Sequence, residues 1–266
     1  MKRLGRILLY IIYLIRSFRL VGPGPALQWV LLCFGHLLGI PWPRTWRVHP
    51  LLVQHPLTVR LGGSSDLNVF SSIFVLQEYS RLQILDNVSL VLDLGANVGF
   101  SSAYFLSYFP DSRVIAVEPD ERNVEICRMN LSPYGDRALV LHGAAWSECT
   151  KLCLSQDTCG VGLEWGRQVV QSSGNCASYV EAWDVGTLID RSGAEIVDLL
   201  KVDIERAELA LFAENAKQWL PRVRNICIEL HGEDCKEIFF HALADFDYEL
   251  EYYDLLTICK NIRSKD

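Results

Sequence analysis

The feature that most constrains the fold is an apolar run that leads directly into a glycine-rich turn. Residues 90–94 are apolar except for Asp93, and Gly95 and Gly99 follow at once. Glycine lets the backbone turn sharply and lets a ligand approach where a Cβ would clash. Beyond Gly99 the apolar spacing becomes helical. The segment therefore predicts a buried strand, a ligand-binding turn and a helix whose N-terminal amides face the site.

A second buried strand is predicted at residues 114–117, and it ends in Glu118-Pro119. An acid about twenty residues beyond a glycine turn suits a ribose, because a carboxylate accepts hydrogen bonds from two sugar hydroxyls. The pair of signals predicts a site for a nucleoside cofactor.

Two cofactor classes share this layout. A dinucleotide site uses G-x-G-x-x-G to make room for a pyrophosphate, whereas this turn is Gly95-x-Asn97-x-Gly99. Asp93 precedes the turn, and its negative charge would oppose a pyrophosphate but suit a cofactor that carries an ammonium and a sulfonium. The charge favours S-adenosylmethionine (SAM), and the alternative is a nicotinamide-dependent oxidoreductase that uses Glu118 on a ribose.

The rest of the chain predicts an α/β fold. Strands are expected near residues 89–94, 114–118, 138–144, 197–203, 223–230, 246–253 and 255–260, with helices near 100–109, 121–131, 207–219 and 235–243. This alternation indicates a mostly parallel seven-stranded sheet with helices on both faces. The last two strands have almost no linker, which predicts an antiparallel hairpin at one edge.

Several further motifs follow one another along the chain, and the most specific is Lys201-x-Asp203-x-Glu205. The others are residues 56–66 with Phe70, Phe74, Glu78 and Tyr79, residues 92–99, residues 117–120 with Asn123 and Asn130, Glu208, and residues 228–231. Over about residues 56–262 these motifs resemble the FkbM-type SAM-dependent methyltransferases. The resemblance implies a Rossmann-like class I methyltransferase fold. One departure is Arg206, where that family usually carries glycine.

The resemblance also implies which residues hold the cofactor. They are Asp93, Gly95, Ala96, Asn97 and Gly99 at the methionine and ribose side, Glu118 and Pro119 at the ribose, and Ala144 and Ala145 beside the adenine.

Polar side chains come at the ends of two other predicted strands. Period-two alternation puts Lys201, Asp203 and Glu205 on one face of residues 196–205, and it puts Glu229 and His231 together in the later strand. Ligands of open α/β sheets bind outside the carboxyl ends of the strands. If the two strands are neighbours, as the resemblance implies, Asp203, Glu229 and His231 converge as catalytic residues.

Methyl transfer to an oxygen needs a positioned acceptor and a group that removes its proton. His231 is the predicted general base because the ordinary pKa of histidine is about 6.5, with Asp203 or Glu229 orienting it or the acceptor. Two alternatives are a divalent cation on the same side chains and a structural ion-pair network around Lys201. No local metal-ligand spacing supports a metal, so none is predicted.

The charge is divided unevenly along the chain. Residues 1–65 have a charge of +8 and contain no acid. Because the net charge of the whole chain is −7, the remaining 201 residues have a charge of −15. Residues 7–15 and 26–40 are apolar, but they are short or interrupted by proline and glycine, whereas a transmembrane helix needs about 20 apolar residues. We expect residues 1–50 to be a membrane-associating segment, with residues 1–45 at a lipid surface, and residues 51–266 to be the enzyme domain.

Two alternatives for this segment are an uncleaved signal anchor and a pair of helices that cap the catalytic domain of a cytoplasmic protein. Nucleic acid is not an expected partner, because the domain is acidic and the basic arm lacks the polar residues and interleaved aromatic residues that recognise nucleic acid. The oligomeric state is left open.

Four of the nine cysteines, Cys149, Cys153, Cys159 and Cys176, lie in a stretch that is expected to be a substrate-facing insertion, residues 146–184. They contain no C-x-x-C pair, which argues against zinc and leaves disulfides as an option for an oxidising compartment.

The predicted function is SAM-dependent O-methyl transfer to a hydroxyl of a glycan, a glycolipid or a natural product. The two alternatives are the oxidoreductase and a catalytically degenerate, membrane-bound SAM-binding scaffold, which the departure at Arg206 suggests.

Overall fold

The computed structural model describes residues 19, 21–24, 26–28, 31, 44–158, 167–170, 179–213 and 215–265. The chain divides into two compact units, Met1–Ile84 and Leu85–Asp266, and the predicted boundary after residue 50 lies inside the first. Among the described residues, no helix is both long and apolar enough to cross a bilayer. The apolar stretch at residues 7–15 and most of the one at 26–40 lie outside them.

The first unit contains a small antiparallel hairpin, β1 (Thr45–Val48) and β2 (Leu57–Arg60), followed by helix α1 (Asp66–Phe70). The side chain of Asp66 is fully buried. It accepts hydrogen bonds from the backbone N–H of Arg60 at 2.8 Å and from its guanidinium at 2.7 Å. Buried charges are stable when they are paired and hydrogen-bonded. The arginine and the aspartate of the motif at residues 56–66 therefore fasten the hairpin to the helix.

The second unit is an α/β domain. Its strands are β3 (Leu90–Leu94), β4 (Arg113–Glu118), β5 (Ala138–His142), β6 (Ala144–Ala145), β7 (Thr150–Thr158), β8 (Arg167–Val170), β9 (Tyr179–Trp183), β10 (Leu199–Val202), β11 (Ile226–Glu229), β12 (Phe246–Tyr253) and β13 (Leu256–Ser264). Its helices are α2 (Phe100–Tyr108), α3 (Glu121–Leu131), α4 (Val185–Ser192), α5 (Glu208–Leu211), α6 (Ala216–Trp219) and α7 (Glu233–Ala242).

Seven of these strands form the central sheet, in the order β12-β13-β11-β10-β3-β4-β5. The five strands from β11 to β5 are parallel, and β12 and β13 form an antiparallel hairpin at the edge. This arrangement confirms the predicted fold. Its consequence for function is that β3, β4, β10 and β11 present their carboxyl ends along one edge of the sheet, where ligands of open α/β sheets bind.

Burial explains why β3 is apolar at every position except Asp93. Leu90, Leu92 and Leu94 pack on one face of the sheet in a core that includes side chains of α4, α6 and α7, among them Trp219. Val91 faces the other side, and it is also fully buried. Parallel sheets that are covered by helices on both faces need such continuous apolar strands.

The region between β5 and β10 differs from the expectation. A second, four-stranded sheet in the order β6-β9-β7-β8 occupies part of the predicted insertion, and α4 was not predicted. Helix α4 carries recognisable end signals, because Asp184 caps its N-terminus and Gly193 follows it with a φ of +70°. Cys149 is a free thiol and Cys153 is disulfide-bonded. Cys159 and Cys176 lie outside the described residues.

Candidate functional site

The glycine turn lies between β3 and α2, as predicted. The backbone N–H groups of Gly95 and Ala96 both donate to the carbonyl oxygen of Val117, at 2.9 and 3.0 Å, so β4 fixes the turn. Gly95 has a φ of +78°, and a Cβ there would lie 1.7 Å from the backbone oxygen of Asp203. Only glycine fits this contact, which presses the turn against the end of β10.

Glu118 lies beside the turn at the end of β4, and it is 6% exposed. Its carboxylate accepts hydrogen bonds from the backbone of Asn97 at 2.8 Å, from the backbone of Asp120 at 2.9 Å and from the Asn123 amide at 3.2 Å. Burial raises the pKa of Glu118 to about 7, although these hydrogen bonds act in the opposite direction.

Asn97 contributes a second acceptor to the turn. Its φ is +51°, a conformation that asparagine tolerates better than most residues. Its buried Oδ1 has no hydrogen-bond partner within the part of the chain that the structure describes. Buried acceptors are normally satisfied, so this oxygen and the Glu118 carboxylate fit a ligand with hydroxyl or ammonium donors, which is the donor set of a SAM molecule.

Asp93, a predicted cofactor residue, makes its described contacts within the protein. Its side chain is fully buried, and it accepts hydrogen bonds from the hydroxyls of Ser101 and Ser102, each at 2.6 Å. Lys201 Nζ lies 3.1 Å from its other oxygen and donates to the carbonyl of Gly95 at 2.8 Å. The charge of Asp93 is therefore balanced inside the protein. Asp93 stabilises the turn through Lys201, which also binds the carbonyl of Gly95.

The other predicted cofactor residues surround the same edge. Gly99 begins α2 with a φ of +82°, and a Cβ there would lie 2.9 Å from the Cys127 sulfur. The carbonyl of Pro119 lies 3.1 Å from His142 Nε2. Ala144 and Ala145 form β6 and are buried. The carbonyl of Glu118 accepts from the N–H of Gly143, directly before β6, at 3.0 Å.

An acidic cluster, defined by Asp203, Glu205, Glu229 and His231, lies at the ends of β10 and β11. These strands are parallel neighbours, so the residues that follow them meet. Nε2 of His231 lies 3.8 Å from Asp203, 3.7 Å from Glu205 and 3.7 Å from Glu229. The structure thus brings together the three predicted catalytic residues. Their side chains and that of Glu205 are between 17% and 36% exposed, so solutes reach them.

Glu205 reaches the cluster by a route that strand alternation did not predict. Strand β10 ends at Val202, and Glu205 has a φ of +51°. A left-handed backbone, and not a longer strand, turns its carboxylate toward His231.

Glu208 was part of a motif but received no predicted role. It is fully buried, and its Oε1 lies 3.0 Å from Nδ1 of His231. Because this contact holds one ring nitrogen, the other nitrogen is directed at the three carboxylates. Sequence spacing gave no signal for the contact, since the two residues are 23 positions apart.

The pKa of His231 bears on its predicted role as general base. Burial favours the neutral ring, but the hydrogen bond that the ring donates to Glu208 and the charges of Glu208, Asp203 and Glu205 outweigh it and raise the pKa to about 9. The raised pKa favours the protonated ring at neutral pH. Burial raises the pKa of Glu205 to about 7, with His231 lowering it and Asp203 raising it.

Arg206, the departure from the family pattern, has a φ of +75°, which glycine adopts more readily. Its guanidinium donates to the carbonyl of His231 at 2.8 Å and pairs with Asp234. The side chain thereby connects the loop after β10 with the loop after β11, which carries His231.

The two halves of the site adjoin each other. The N–H of Asp203 donates to the carbonyl of Leu94 at 3.0 Å, and Lys201 Nζ lies 3.9 Å from the Asp203 carboxylate while it also binds the turn. A molecule held at the glycine turn is therefore next to the acidic cluster.

Comparison with known proteins agrees with this geometry. Residues 93–253, more than half of the chain, match the Methyltransferase FkbM domain. The AMB antimetabolite synthetase AmbE of Pseudomonas aeruginosa is 28% identical over 200 residues, which cover 62% of this chain and 9% of AmbE. The 2-O-methyltransferase NoeI of Sinorhizobium fredii is 25% identical over 161 residues, which cover 56% of this chain and 65% of NoeI.

This chain thus spans less than two thirds of the length of either relative. Among solved structures, M. capricolum TrmK in complex with S-adenosyl-homocysteine has a TM-score of 0.43 and 10% identity, over 73% of this chain and 71% of that one. The family match decides between the two cofactor classes in favour of SAM. Through residues 93–253 the chain belongs to the FkbM methyltransferase family.

Proposed function

We propose that this enzyme methylates a hydroxyl group of a glycan, a glycolipid or a natural product. The observation that carries the proposal is the contact between the glycine turn and the acidic cluster, through Gly95, Lys201 and Asp203. A methyl donor at the turn and a hydroxyl at the cluster would be neighbours, and transfer between bound neighbours requires no further encounter.

We assign the cofactor to the turn and to Glu118. When bound, SAM supplies a methyl group that is activated by the adjoining sulfonium. The ionised carboxylate of Glu118 accepts from the ribose hydroxyls, and Oδ1 of Asn97 accepts from a donor of the cofactor. Gly95, Ala96 and Gly99 give the backbone its close approach, Pro119 follows the ribose acid, and Ala144 and Ala145 provide an apolar surface for the adenine.

The acceptor is assigned to the acidic cluster. A hydroxyl is a poor nucleophile until its proton is removed. With the pKa of His231 raised, the carboxylates of the cluster are better placed than the ring to take this proton. We assign proton acceptance to Glu229 and positioning of the hydroxyl to Asp203. Nε2 of His231 lies within 3.8 Å of both carboxylates, so the ring positions them at one acceptor site.

The proposal that the methyl group is transferred to an oxygen atom is supported by the similarity to NoeI, which is a 2-O-methyltransferase. The experiment is incubation with methyl-labelled SAM and a panel of oligosaccharides, glycolipids and hydroxylated natural products, with products identified by mass spectrometry. We expect an alkali-stable methyl ether. Label in an alkali-labile ester or on nitrogen would contradict O-methylation, and no turnover despite SAM binding would favour the scaffold alternative.

Two variants test the cofactor site and the acceptor site separately. Glu118→Ala should abolish SAM binding in calorimetry, whereas Glu229→Gln should retain binding and lose at least about tenfold in turnover. Glu233→Gln is the matched control, because it removes one exposed carboxylate from the next helix with the same change in charge.

We also propose that residues 1–45 bind a membrane surface. The support is the charge of +8 in residues 1–65 together with the two apolar stretches, a combination that draws a segment to anionic lipid. Co-sedimentation of the full chain with vesicles that contain phosphatidylserine tests it. Replacement of Arg16 and Arg19 by glutamate should abolish co-sedimentation, and equal recovery of both proteins would refute the proposal.

A further inference from the structure

We propose that Asp203, Glu205 and His231 bind a divalent metal ion. The catalytic use of this ion, to acidify the acceptor hydroxyl, rests on the proposed function, whereas the binding of the ion does not. The three residues each offer one ligand atom, and these atoms all lie within 4.8 Å of one another.

The spacing of the ligand atoms fits a shared cation better than direct contact. Nε2 of His231 lies 3.8 Å from Asp203 Oδ1 and 3.7 Å from Glu205 Oε2. Both distances exceed a hydrogen bond. A cation with ligands at about 2.0–2.2 Å separates neighbouring ligand atoms by roughly 3–4 Å, depending on the coordination angle. The three side chains are thus already near the separations that coordination needs.

The orientation of His231 is an independent observation that points to a metal. Its Nδ1 is held at 3.0 Å by Glu208, whose side chain is fully buried and lies outside the ligand set. Glu208 is fixed in turn by the N–H of Ile204, which donates to the same carboxylate at 3.3 Å. Histidine ligands of metals characteristically use one ring nitrogen on a carboxylate and the other on the ion. Here the second nitrogen faces two carboxylates.

The charge of the site favours a cation as well. Three carboxylates, those of Asp203, Glu205 and Glu229, lie within 3.8 Å of one imidazole nitrogen. Lys201 is 3.9 Å from Asp203, but its closer ion pair, at 3.1 Å, is with Asp93. A bound divalent ion would balance the charges of its two ligand carboxylates, Asp203 and Glu205.

The donor set limits the class of ion. Two carboxylates and one imidazole suit first-row ions such as Mn²⁺, and three protein ligands leave coordination positions open. A hydroxyl of the acceptor that occupies one of these positions becomes more acidic. Its O–H bond then breaks, the electron pair stays on the oxygen, and the proton moves to the carboxylate of Glu229.

The test is titration of the full chain with Mn²⁺ alone, followed by electron paramagnetic resonance, with neither SAM nor an acceptor present. We expect one bound Mn²⁺ per chain, and electron spin echo modulation from a directly coordinated ¹⁴N nucleus. Asp203→Asn should abolish stoichiometric binding, and His231→Gln should remove the nitrogen modulation. Glu208→Gln, which alters only the group behind the ligand, should weaken binding about 10- to 100-fold. Glu233→Gln should bind as the wild type does.

Two results would overturn the proposal: absence of stoichiometric binding to the wild type, or binding that Asp203→Asn and Glu233→Gln weaken equally. Circular dichroism checks that each variant is folded, and Glu205→Gln replaces Asp203→Asn if that variant unfolds. Full methyl transfer after removal of metals by a chelator would refute the catalytic use of the ion. Failure to find an acceptor would count against the proposed function only, because Mn²⁺ binding is measured without one.

Discussion

The ion pair between Lys201 and Asp93 should hold the two halves of the site together, and its removal gives a quantitative prediction. The Lys201 side chain is 4% exposed and that of Asp93 is fully buried, with the charged atoms 3.1 Å apart. Lys201→Met leaves a buried carboxylate without its cation, a change that typically costs about 3–5 kcal/mol. At a urea m value of about 2 kcal/mol/M, the unfolding midpoint would fall by roughly 2 M.

The double variant makes the reasoning refutable. Replacement of both members of a buried ion pair by uncharged groups often changes the free energy of unfolding only slightly. Lys201→Met combined with Asp93→Asn should therefore be more stable than Lys201→Met alone, because asparagine keeps an oxygen for the hydroxyls of Ser101 and Ser102. Urea unfolding followed by circular dichroism measures all four proteins of this cycle. A double variant as unstable as the single one, or a loss below about 1 kcal/mol in Lys201→Met, would show that the pair does not support the turn.

Three further predictions concern the turn, the ribose acid and Arg206. Gly95→Ala should destabilise the protein by more than Gly135→Ala, measured by thermal unfolding, since both glycines have positive φ but only the Cβ at Gly95 meets backbone, at 1.7 Å. Glu118 has a pKa raised to about 7, so its ionised form is lost as the pH falls. Affinity for methylthioadenosine, which has the ribose but not the α-amino group of SAM, should drop about tenfold per pH unit below 7 in calorimetry. Glu118→Gln should remove this dependence. Arg206→Gly should relieve its φ of +75° but release the loop after β11, and so lower turnover without lowering thermal stability; unchanged turnover would refute the positioning role.

Local patterns explain what the sequence predicted correctly. The strand, the turn and the acid of the cofactor site depend on short-range features: an apolar run, glycines with positive φ and a carboxylate at a strand end. The positions of Gly95 and Glu118 follow from such features alone. The parallel pairing of β3, β4 and β5, and that of β10 and β11, follow from the alternation of strands and helices, since crossover connections place successive strands side by side. The position of β10 beside β3 does not follow from this rule.

What the sequence could not predict depends on groups that meet only in the folded chain. Asp93 seemed available to a cofactor, but Lys201, 108 residues later, neutralises it. Glu208 was visible as a motif residue, yet its contact with His231 requires the packing of two separate strand ends. The same contact raises the pKa of the ring, an effect that the ordinary histidine pKa used in the prediction does not include.

Arg206 bears on whether the chain is an active enzyme. A non-glycine residue at a φ of +75° is expected to disturb a turn that glycine usually forms. Here the backbone keeps the left-handed conformation, and the guanidinium contacts the carbonyl of His231 and the carboxylate of Asp234. These contacts hold the loop that carries His231. They therefore oppose a displacement of the acidic cluster by the backbone strain at Arg206. Because Asp203, Glu229 and His231 still converge within 3.8 Å, the substitution that suggested a degenerate scaffold is compatible with an assembled site.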